Sequence, residues 1–225
     1  MRMPVAAVAA ILLAFLPAAA LQAQPEAVAL MLNTVTQDVQ PEAVDLGLSV
    51  KWASCNLGAD TPEGYGDYFA WAETSTKEQF GWDNYSFCGE GPYGMTKYNA
   101  GFKLNYVAEA EDDAVAVRLG GDWRMPTFVE ANELVHECDW AWTECNGVPG
   151  YKISSRANGN SIFLPAAGYK EGSELCFTGT AGRYWTATRH PYHPKCAMNL
   201  FFSPEYYYAY FYERFRGYPI RPVRL

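Results

Sequence analysis

Val44-Asp-Leu-Gly-Leu-Ser-Val-Lys-Trp52 is the first stretch of the chain with the pattern of a folded domain. Apolar residues occupy every second position from Leu46 to Trp52, and small or charged residues lie between them. A period of two is typical of a half-buried strand, because successive side chains point to opposite faces. We therefore predict a strand here, as the start of a domain that covers residues 44–225.

The chain before this stretch has the features of an export signal. Arg2 precedes an almost unbroken apolar run over Val5–Leu16, and alanines follow up to Ala23. We expect cleavage after residue 23 and a leader or linker over residues 24–43. A retained membrane anchor is the alternative, but a full span needs about 20 apolar residues and Pro17 interrupts this run. The expected locations are therefore the periplasm, the outer cell surface or the medium, with no membrane span after cleavage.

The net charge of the chain is unevenly distributed. The formal charge is -8, and loss of the signal segment, whose one charged residue is Arg2, makes it -9. Residues 183–225 contain seven Lys or Arg against two acids, a net +5, so the rest of the mature chain is about -14. An acidic chain is a poor partner for nucleic acid. The basic C-terminal segment predicts instead a partner with an acidic patch.

Two helices are predicted in the middle of the chain. The first covers Glu109–Leu119, with acids at its start and Gly120 after its end. The second begins at Thr127, because Glu130 three residues later completes a capping box, and it ends near Cys138.

Short strands account for the remainder of the domain. The hairpin signal Asn158-Gly159 separates two of them. The predicted strands are Tyr68–Trp71, Tyr151–Ser154, Ser161–Leu164, Tyr184–Ala187, Ala197–Phe202, Tyr206–Tyr212 and Tyr218–Val223. Helices in the middle and strands at the end, without βαβ alternation, indicate an α+β domain with antiparallel strands.

Six stretches together resemble a known family. They are Val44–Ala53, Tyr65–Glu73, Trp123–Thr127, Asn158–Gly168, Tyr184-Trp-Thr186 and Ile220–Val223. In this order they resemble the Fibrobacter succinogenes major paralogous domain of secreted and surface proteins in Bacteroidetes. That family is related to the C-type-lectin-like fold of formylglycine-generating enzymes.

The resemblance implies a C-type-lectin-like domain whose first and last strands pair. It also implies that the segment before Arg221-Pro-Val223 is displayed on one face. Similar domains are the variable proteins of diversity-generating retroelements, in which that segment is randomised. The Tyr and Phe content of this chain fits such a history as a hypothesis, and it fits an invariant binding site equally well. The tryptophans of the matching stretches, Trp52, Trp71, Trp123 and Trp185, are expected in the core.

The strongest local feature is a run of aromatic residues near the C-terminus. Thirteen of the thirty-five residues from Tyr184 to Tyr218 are Tyr, Phe or Trp. A strand over Tyr206–Tyr212 places 206, 208, 210 and 212 on one side and the small Ala209 on the other. We predict that Tyr206, Tyr208, Tyr210 and Tyr212 face outward, because recognition surfaces favour tyrosine. An aromatic core is the alternative, but each buried hydroxyl would then need a partner.

Flanking residues extend this predicted binding face. Met198, Leu200 and Phe202 share one parity and are expected to pack inward, which directs Asn199 and Phe201 outward. The predicted ligand-binding residues are His190, Tyr192, His193, Phe201, Tyr206, Tyr208, Tyr210, Tyr212, Arg214 and Arg216.

The cysteines do not have the pattern of the related oxidases. Those enzymes use two cysteines a few residues apart, whereas Cys176 and Cys196 are twenty apart. The departure removes the metal-binding thiol pair, so we predict no catalytic residue. The six cysteines, at 55, 88, 138, 145, 176 and 196, permit up to three disulfides or remain free thiols.

Metal and cofactor sites are also not expected. His190-Pro-Tyr-His193 offers two ligands without a third, and the acids over Glu109–Asp113 complement a helix start. The calcium-binding motifs of sugar-binding C-type lectins are absent from the sequence. The sequence thus predicts an exported, non-catalytic binding protein for a protein or glycan ligand on a cell or phage surface. The alternatives are a calcium-independent glycan-binding module and, more distantly, a degenerate relative of the oxidase.

Overall fold

A computed structural model describes residues 40–90, 94–99 and 106–225 of the chain. The predicted signal peptide, and the leader up to residue 39, lie outside these residues. Gln40–Leu225 forms one unit by its contacts. The domain includes four residues of the predicted leader, because the Gln40 side chain donates to the Leu119 carbonyl (2.5 Å) and Ala43 lies in the first strand.

The described residues form short helices and short strands, so the α+β prediction is confirmed. The helices are α1 (Ala114–Leu119) and α2 (Phe128–Glu137), with 3-10 turns at Trp82–Asn84 and Ala110–Asp112. The strands are β1 (Ala43–Val44), β2 (Lys51–Ala53), β3 (Cys138–Cys145), β4 (Val148–Ser155), β5 (Ser161–Pro165), β6 (Tyr169–Glu171), β7 (Glu174–Cys176), β8 (Gly182–Arg189), β9 (Cys196–Ser203), β10 (Tyr206–Glu213) and β11 (Val223–Arg224).

The strands of the described part assemble into small antiparallel sheets. Three of these sheets have three strands, in the orders β1-β2-β11, β3-β4-β5 and β10-β9-β8, and β6 pairs with β7. The last strand pairs with β2, and Val223 lies opposite Trp52. The two ends of the domain are therefore joined, as the resemblance implies.

The opening stretch differs from the single strand that its alternation predicts. β1 and β2 pair with each other, and Val44 lies opposite Trp52, so the chain doubles back between them. The reversal follows from Gly47, which has φ +69° and donates its N–H to the Asp45 carboxylate (2.7 Å). The alternation of burial is nevertheless as predicted, because Leu46, Val50 and Trp52 are buried.

Each of the two helices begins directly after a residue whose side chain caps its first turn, Asp113 for α1 and Thr127 for α2. The prediction of one helix over Glu109–Leu119 is wrong, because the Asp113 carboxylate caps the N–H groups of Val115 (2.8 Å) and Ala116 (3.1 Å) and starts α1 one residue after it. The predicted capping box of α2 is confirmed: Thr127 and Glu130 each bond the other's backbone N–H.

Across the described part of the chain, we find no helix whose length and apolar character would let it cross a membrane.

Two strand predictions need correction. Tyr218–Val223 is not a strand, because Pro219 and Pro222 have no N–H to donate to a neighbouring strand, and regular pairing begins only at Val223. Tyr68–Trp71 is buried but makes only isolated backbone bonds, from Phe69 and Trp71 to the C-terminal segment. The strand β3 was not predicted, although Trp140 and Trp142 alternate there with the smaller residues Asp139, Ala141 and Thr143.

The core consists of buried aromatic and aliphatic side chains on both sides of the strand β2. One cluster contains Trp71, Trp123, Trp185 and Tyr218, and a second contains Trp52 with residues of α2 and of the sheet β3-β4-β5. The prediction that the four framework tryptophans are core residues is therefore confirmed.

A buried arginine links three parts of this core. The Arg221 guanidinium donates to the carbonyls of Ala53 (3.0 Å) and Phe163 (2.7 Å) and to the Asn56 side-chain oxygen (2.8 Å). Ala53 belongs to β2 and Phe163 to β5. Burial lowers the pKa of Arg221 to about 10.

We expect Arg221→Met to destabilise the domain by about 3 kcal/mol, because it leaves three buried acceptors without their charged donor. Urea denaturation measures this change. The control is Arg224→Gln, which removes a partly exposed ion pair with Asp122 (2.9 Å) and should cost less than about 1 kcal/mol. Equal losses for the two variants would contradict a linking role for Arg221.

Candidate binding face

The sheet β10-β9-β8 brings aromatic side chains together on one side. In the strand register Tyr208 lies opposite Phe201, and Phe201 lies opposite Arg183. Directly opposite residues of neighbouring antiparallel strands share a face. We call this side of the sheet the tyrosine face, and its members are Arg183, Phe201, Tyr206, Tyr208, Tyr210 and Tyr212.

Three tyrosines of β10 are open to solvent. Tyr206, Tyr208 and Tyr210 are 60%, 43% and 44% exposed, as the alternation of the strand predicts. Tyr212 belongs to the same parity but is partly buried and packs against the core cluster of Trp71. The exposed part of the row thus consists of three tyrosines instead of four.

The opposite side of β10 is held by the core. Tyr207 stacks on Trp140 of β3, with ring centres 4.6 Å apart and the two planes at 4°. Leu200 and Phe202 of β9 are buried in the cluster that also contains Leu134 of α2. The tyrosine face is therefore supported from behind by packed side chains.

The exposed rings are tilted against each other. Tyr208 is 5.2 Å from Phe201 at 51° and 5.8 Å from Tyr210 at 86°. Tyr210 is 6.1 Å from Tyr212 at 58°. Such edge-to-face contacts are favourable for aromatic pairs. The row is consequently an uneven surface and not one flat aromatic platform.

The structure adds Phe177 and Tyr169 beside this face. The Phe177 ring is 62% exposed and stacks on Tyr169 of β6 (5.8 Å, 17°). Phe177 also has φ +57°, a conformation that is strained for a bulky residue and is typical of functional positions. Tyr169 is 5.3 Å from the Arg183 guanidinium, which connects it to the tyrosine face. Sequence reasoning missed these residues because an exposed Phe in a loop has the same local pattern as a core Phe.

Two residues predicted to face outward lie in the interior. Arg214 is fully buried, where it covers Trp71 (4.6 Å) and donates to the Tyr98 carbonyl (2.8 Å). Burial lowers the pKa of Arg214. Asn199 is also fully buried, although it shares the parity of Phe201, and it lies opposite the buried Trp185 of β8. Neither residue contributes to the exposed surface.

The predicted histidine rim forms a loop with one anchor. His190 is buried, and its Nδ1 accepts the N–H groups of Tyr192 (3.2 Å) and His193 (2.9 Å). Burial, followed by the charges of His193 and Arg189, lowers the pKa of His190. Tyr192 and His193 are both exposed. His190 thus holds the loop in place, and Tyr192 is its exposed aromatic residue.

The predicted basic character of this surface is wrong. Arg189, Arg214 and Arg221 are buried in the framework. Arg216, a predicted face residue, is mostly buried and pairs with Glu171 and with Glu213 (3.0 Å). With Arg224 also ion-paired, five of the seven cations of the segment are buried or ion-paired, so most of these groups are not free to contact a ligand.

The groups that suggested chemistry have structural roles in the described residues. All six cysteines are free, and burial raises the pKa of Cys196 to about 11, which keeps it a thiol at neutral pH. The Asp113 carboxylate accepts three backbone N–H groups, from Val115, Ala116 and Met125. Within residues 40–90, 94–99 and 106–225, no three His, Cys, Asp or Glu side chains group as metal ligands.

Comparisons with known proteins add no relative to this description. No family model, no curated protein and no solved structure matches the chain. The family named above therefore remains a resemblance that rests on the quoted stretches.

The two sides of β10 should respond differently to substitution. We expect Tyr208→Ser to reduce the free energy of unfolding by less than about 1 kcal/mol, since this side chain is 43% exposed and lies on the outer side of the strand. Tyr207→Ser should cost at least about 2 kcal/mol, because it removes the stack on Trp140. Chemical denaturation of the two variants checks the assignment, and a larger loss for Tyr208→Ser would reverse the faces.

The His190 loop should weaken in acid. A lowered pKa means that the unfolded chain takes up the His190 proton first, so stability falls as pH drops below about 6.5 towards the folded-state pKa. A protonated Nδ1 also no longer accepts the two N–H bonds. We expect faster hydrogen exchange of the Tyr192 and His193 amides at pH 5 than at pH 7, after correction for intrinsic rates. His190→Gln should remove this pH dependence, whereas His136→Gln, at an exposed position, should retain it.

Proposed function

We propose that this protein is an exported, non-catalytic binding protein whose tyrosine face contacts a macromolecular ligand on a cell or phage surface. The observation that carries this proposal is the row of three exposed tyrosines on one side of a supported strand. A C-type-lectin-like domain and a diversified C-terminal segment belong to the same proposal. The periplasm, the outer surface and the medium are all compatible locations.

Physical chemistry supports recognition through these residues. Large aromatic side chains in water gain about 25 cal/mol for each Å² of apolar surface that a partner covers. Tyrosine has few rotatable bonds, so little conformational entropy is lost when it is covered. The packing of β10 on Trp140 and α2 lowers that cost further, because the strand is already ordered.

The geometry favours a protein ligand. Tyr208 and Tyr210 are nearly perpendicular, and Phe201 is tilted by 51° against Tyr208. Flat sugar rings stack best on rings that lie in a common plane, whereas the irregular side chains of a protein surface fit between tilted rings. Interfaces between proteins are correspondingly enriched in tyrosine.

A calcium-independent glycan-binding module is the second candidate. It is favoured by one observation, the exposed Phe177 ring that lies parallel on Tyr169 at the edge of the face. In this stack the exposed Phe177 ring presents one flat aromatic surface, which suits the apolar side of a sugar. We do not propose an oxidase, because the sequence departs from the closely spaced cysteine pair of the related enzymes: Cys176 and Cys196 are twenty residues apart.

The test compares binding by the chain without residues 1–23 and by a variant with Tyr206, Tyr208 and Tyr210 all changed to Ser. Both are offered an array of bacterial envelope proteins and an array of glycans. Interface tyrosines of this kind contribute about 2 kcal/mol or more when central, so we expect at least a tenfold loss of affinity in the variant.

The control is the double variant Val117→Ser and Val129→Ser, which alters exposed apolar residues on the two helices. It should bind as the unmodified chain does. Circular dichroism and thermal unfolding confirm that all three chains fold. Undiminished binding by the tyrosine variant, or the absence of any bound ligand, would contradict the proposal, and binding confined to the glycan array would favour the second candidate.

A further inference from the structure

One cation on the tyrosine face, Arg183, is held by aromatic rings and has no acidic partner in the part of the chain that the structure describes. It lies near the start of β8, and its guanidinium carbon is 4.2 Å from the Tyr212 ring centre and 4.6 Å from that of Phe201. The Tyr169 ring is 5.3 Å away. Contacts with ring faces orient the guanidinium plane and leave its N–H groups along the edge.

Arg183 differs in this respect from its neighbour Arg216. Arg216 contacts two of the same rings but is neutralised by Glu171 and Glu213. Within residues 40–90, 94–99 and 106–225, the Arg183 guanidinium has neither a hydrogen bond nor an ion pair, and it is half-buried. A partly desolvated cation without an anion is unfavourable in the isolated protein, and a carboxylate that reaches it relieves this cost.

Asn199 is on the same side of the sheet, but it is fully buried and does not reach the surface that a partner would contact. Both polar atoms of the Asn199 side chain are buried, and neither has a hydrogen-bond partner among the described residues. Asn199 precedes Phe201 by two residues in β9 and lies opposite Tyr210. Buried polar groups are rarely left unpaired. These unpaired atoms are out of reach of a docked partner, so Arg183 is the group on this face that points to an anion.

We propose that Arg183 binds a side-chain carboxylate, from Asp or Glu, of a protein that docks on the tyrosine face. The inference rests on the proposed function and names the group that the face recognises. The planar fork of Arg matches a carboxylate with two parallel hydrogen bonds. A single negative charge fits better than a phosphate dianion, because Glu171 and Glu213 lie beside Arg216 in the same cluster.

The rings around Arg183 also favour particular residues beside the Asp or Glu of the ligand. Tyr208 extends the apolar surface beyond Phe201, and Phe177 extends it beyond Tyr169. The fitting sequence is consequently an acidic residue with apolar neighbours. The tilted rings make a protein segment a better match than a chain of uronic acids, which has the same carboxylate chemistry.

The experiment selects ligands from a displayed library of random 12-residue peptides on the chain without residues 1–23. Enriched peptides are synthesised with their acid and with the matching amide, Glu→Gln or Asp→Asn. Affinities are measured for the unmodified chain, Arg183→Gln, Arg183→Lys and the remote control Arg224→Gln. Oligogalacturonate is titrated in parallel as the glycan probe.

We expect the enriched peptides to contain an acid between apolar residues. Arg183→Gln should lower the affinity for the acidic peptides at least tenfold, and the unmodified chain should bind the amide peptides as weakly. Combining the protein variant with an amide peptide should lower the affinity little further. Arg183→Lys should retain part of the affinity, since it keeps the charge without the fork. Arg224→Gln should bind normally. If Arg183→Gln does not fold, Arg183→Lys and the amide peptides still provide the test.

The results that would contradict this inference differ from those that would contradict the proposed function. Peptides that depend on Tyr208 but not on Arg183 or on an acid would overturn this inference and leave the proposed function standing. Peptides that bind equally well when Tyr206, Tyr208 and Tyr210 are all Ser would count against both. Binding of oligogalacturonate without any enriched peptide would replace the protein partner by an acidic glycan, and binding of neither probe would overturn the inference.

Discussion

The buried guanidinium of Arg221 is the interaction on which the rest of this structure depends. Arg221 lies two residues before the last strand, β11. Its guanidinium donates to carbonyls of β2 and β5 and to the Asn56 side chain. A buried cation is tolerated only where oxygen atoms surround it, so these three segments have to meet at one point. The same meeting point allows β11 to pair with β2, which joins the ends of the domain.

The tyrosine face is positioned by this joined framework. Tyr218, three residues before Arg221, stacks on Trp185 of β8 (4.1 Å, 22°), and the Trp185 side chain donates to the Phe69 carbonyl (2.8 Å). β8 is thereby held to the core, and β9 and β10 extend the sheet from it. The outermost strand is packed on one side and open on the other, which is the arrangement that a recognition surface requires.

The arginines show most directly where reasoning from local sequence fails. The count of charges between residues 183 and 225 suggested a basic surface, yet Arg189, Arg214 and Arg221 are buried. Arg214 covers Trp71 with its guanidinium and takes its hydrogen-bond acceptors from a segment more than a hundred residues earlier. No local sequence pattern predicts the contact of Arg214 with Tyr98, because helix or strand periodicity does not relate residues so far apart in the chain. Arg183 did not stand out in the sequence, yet its guanidinium packs on aromatic rings and has no ion pair among the described residues.

The sequence by itself determined the features that depend on backbone periodicity and on neighbouring residues. These are the α+β class, the capping box at Thr127, the buried framework tryptophans and the outward parity of Tyr206, Tyr208 and Tyr210. Tertiary structure alone decided which side chains of a given parity stay in solvent, so that Asn199 is buried and Phe177 is exposed. The physical reason is that the direction of a side chain follows from the local strand geometry, whereas its burial depends on which residues from distant parts of the chain pack against it.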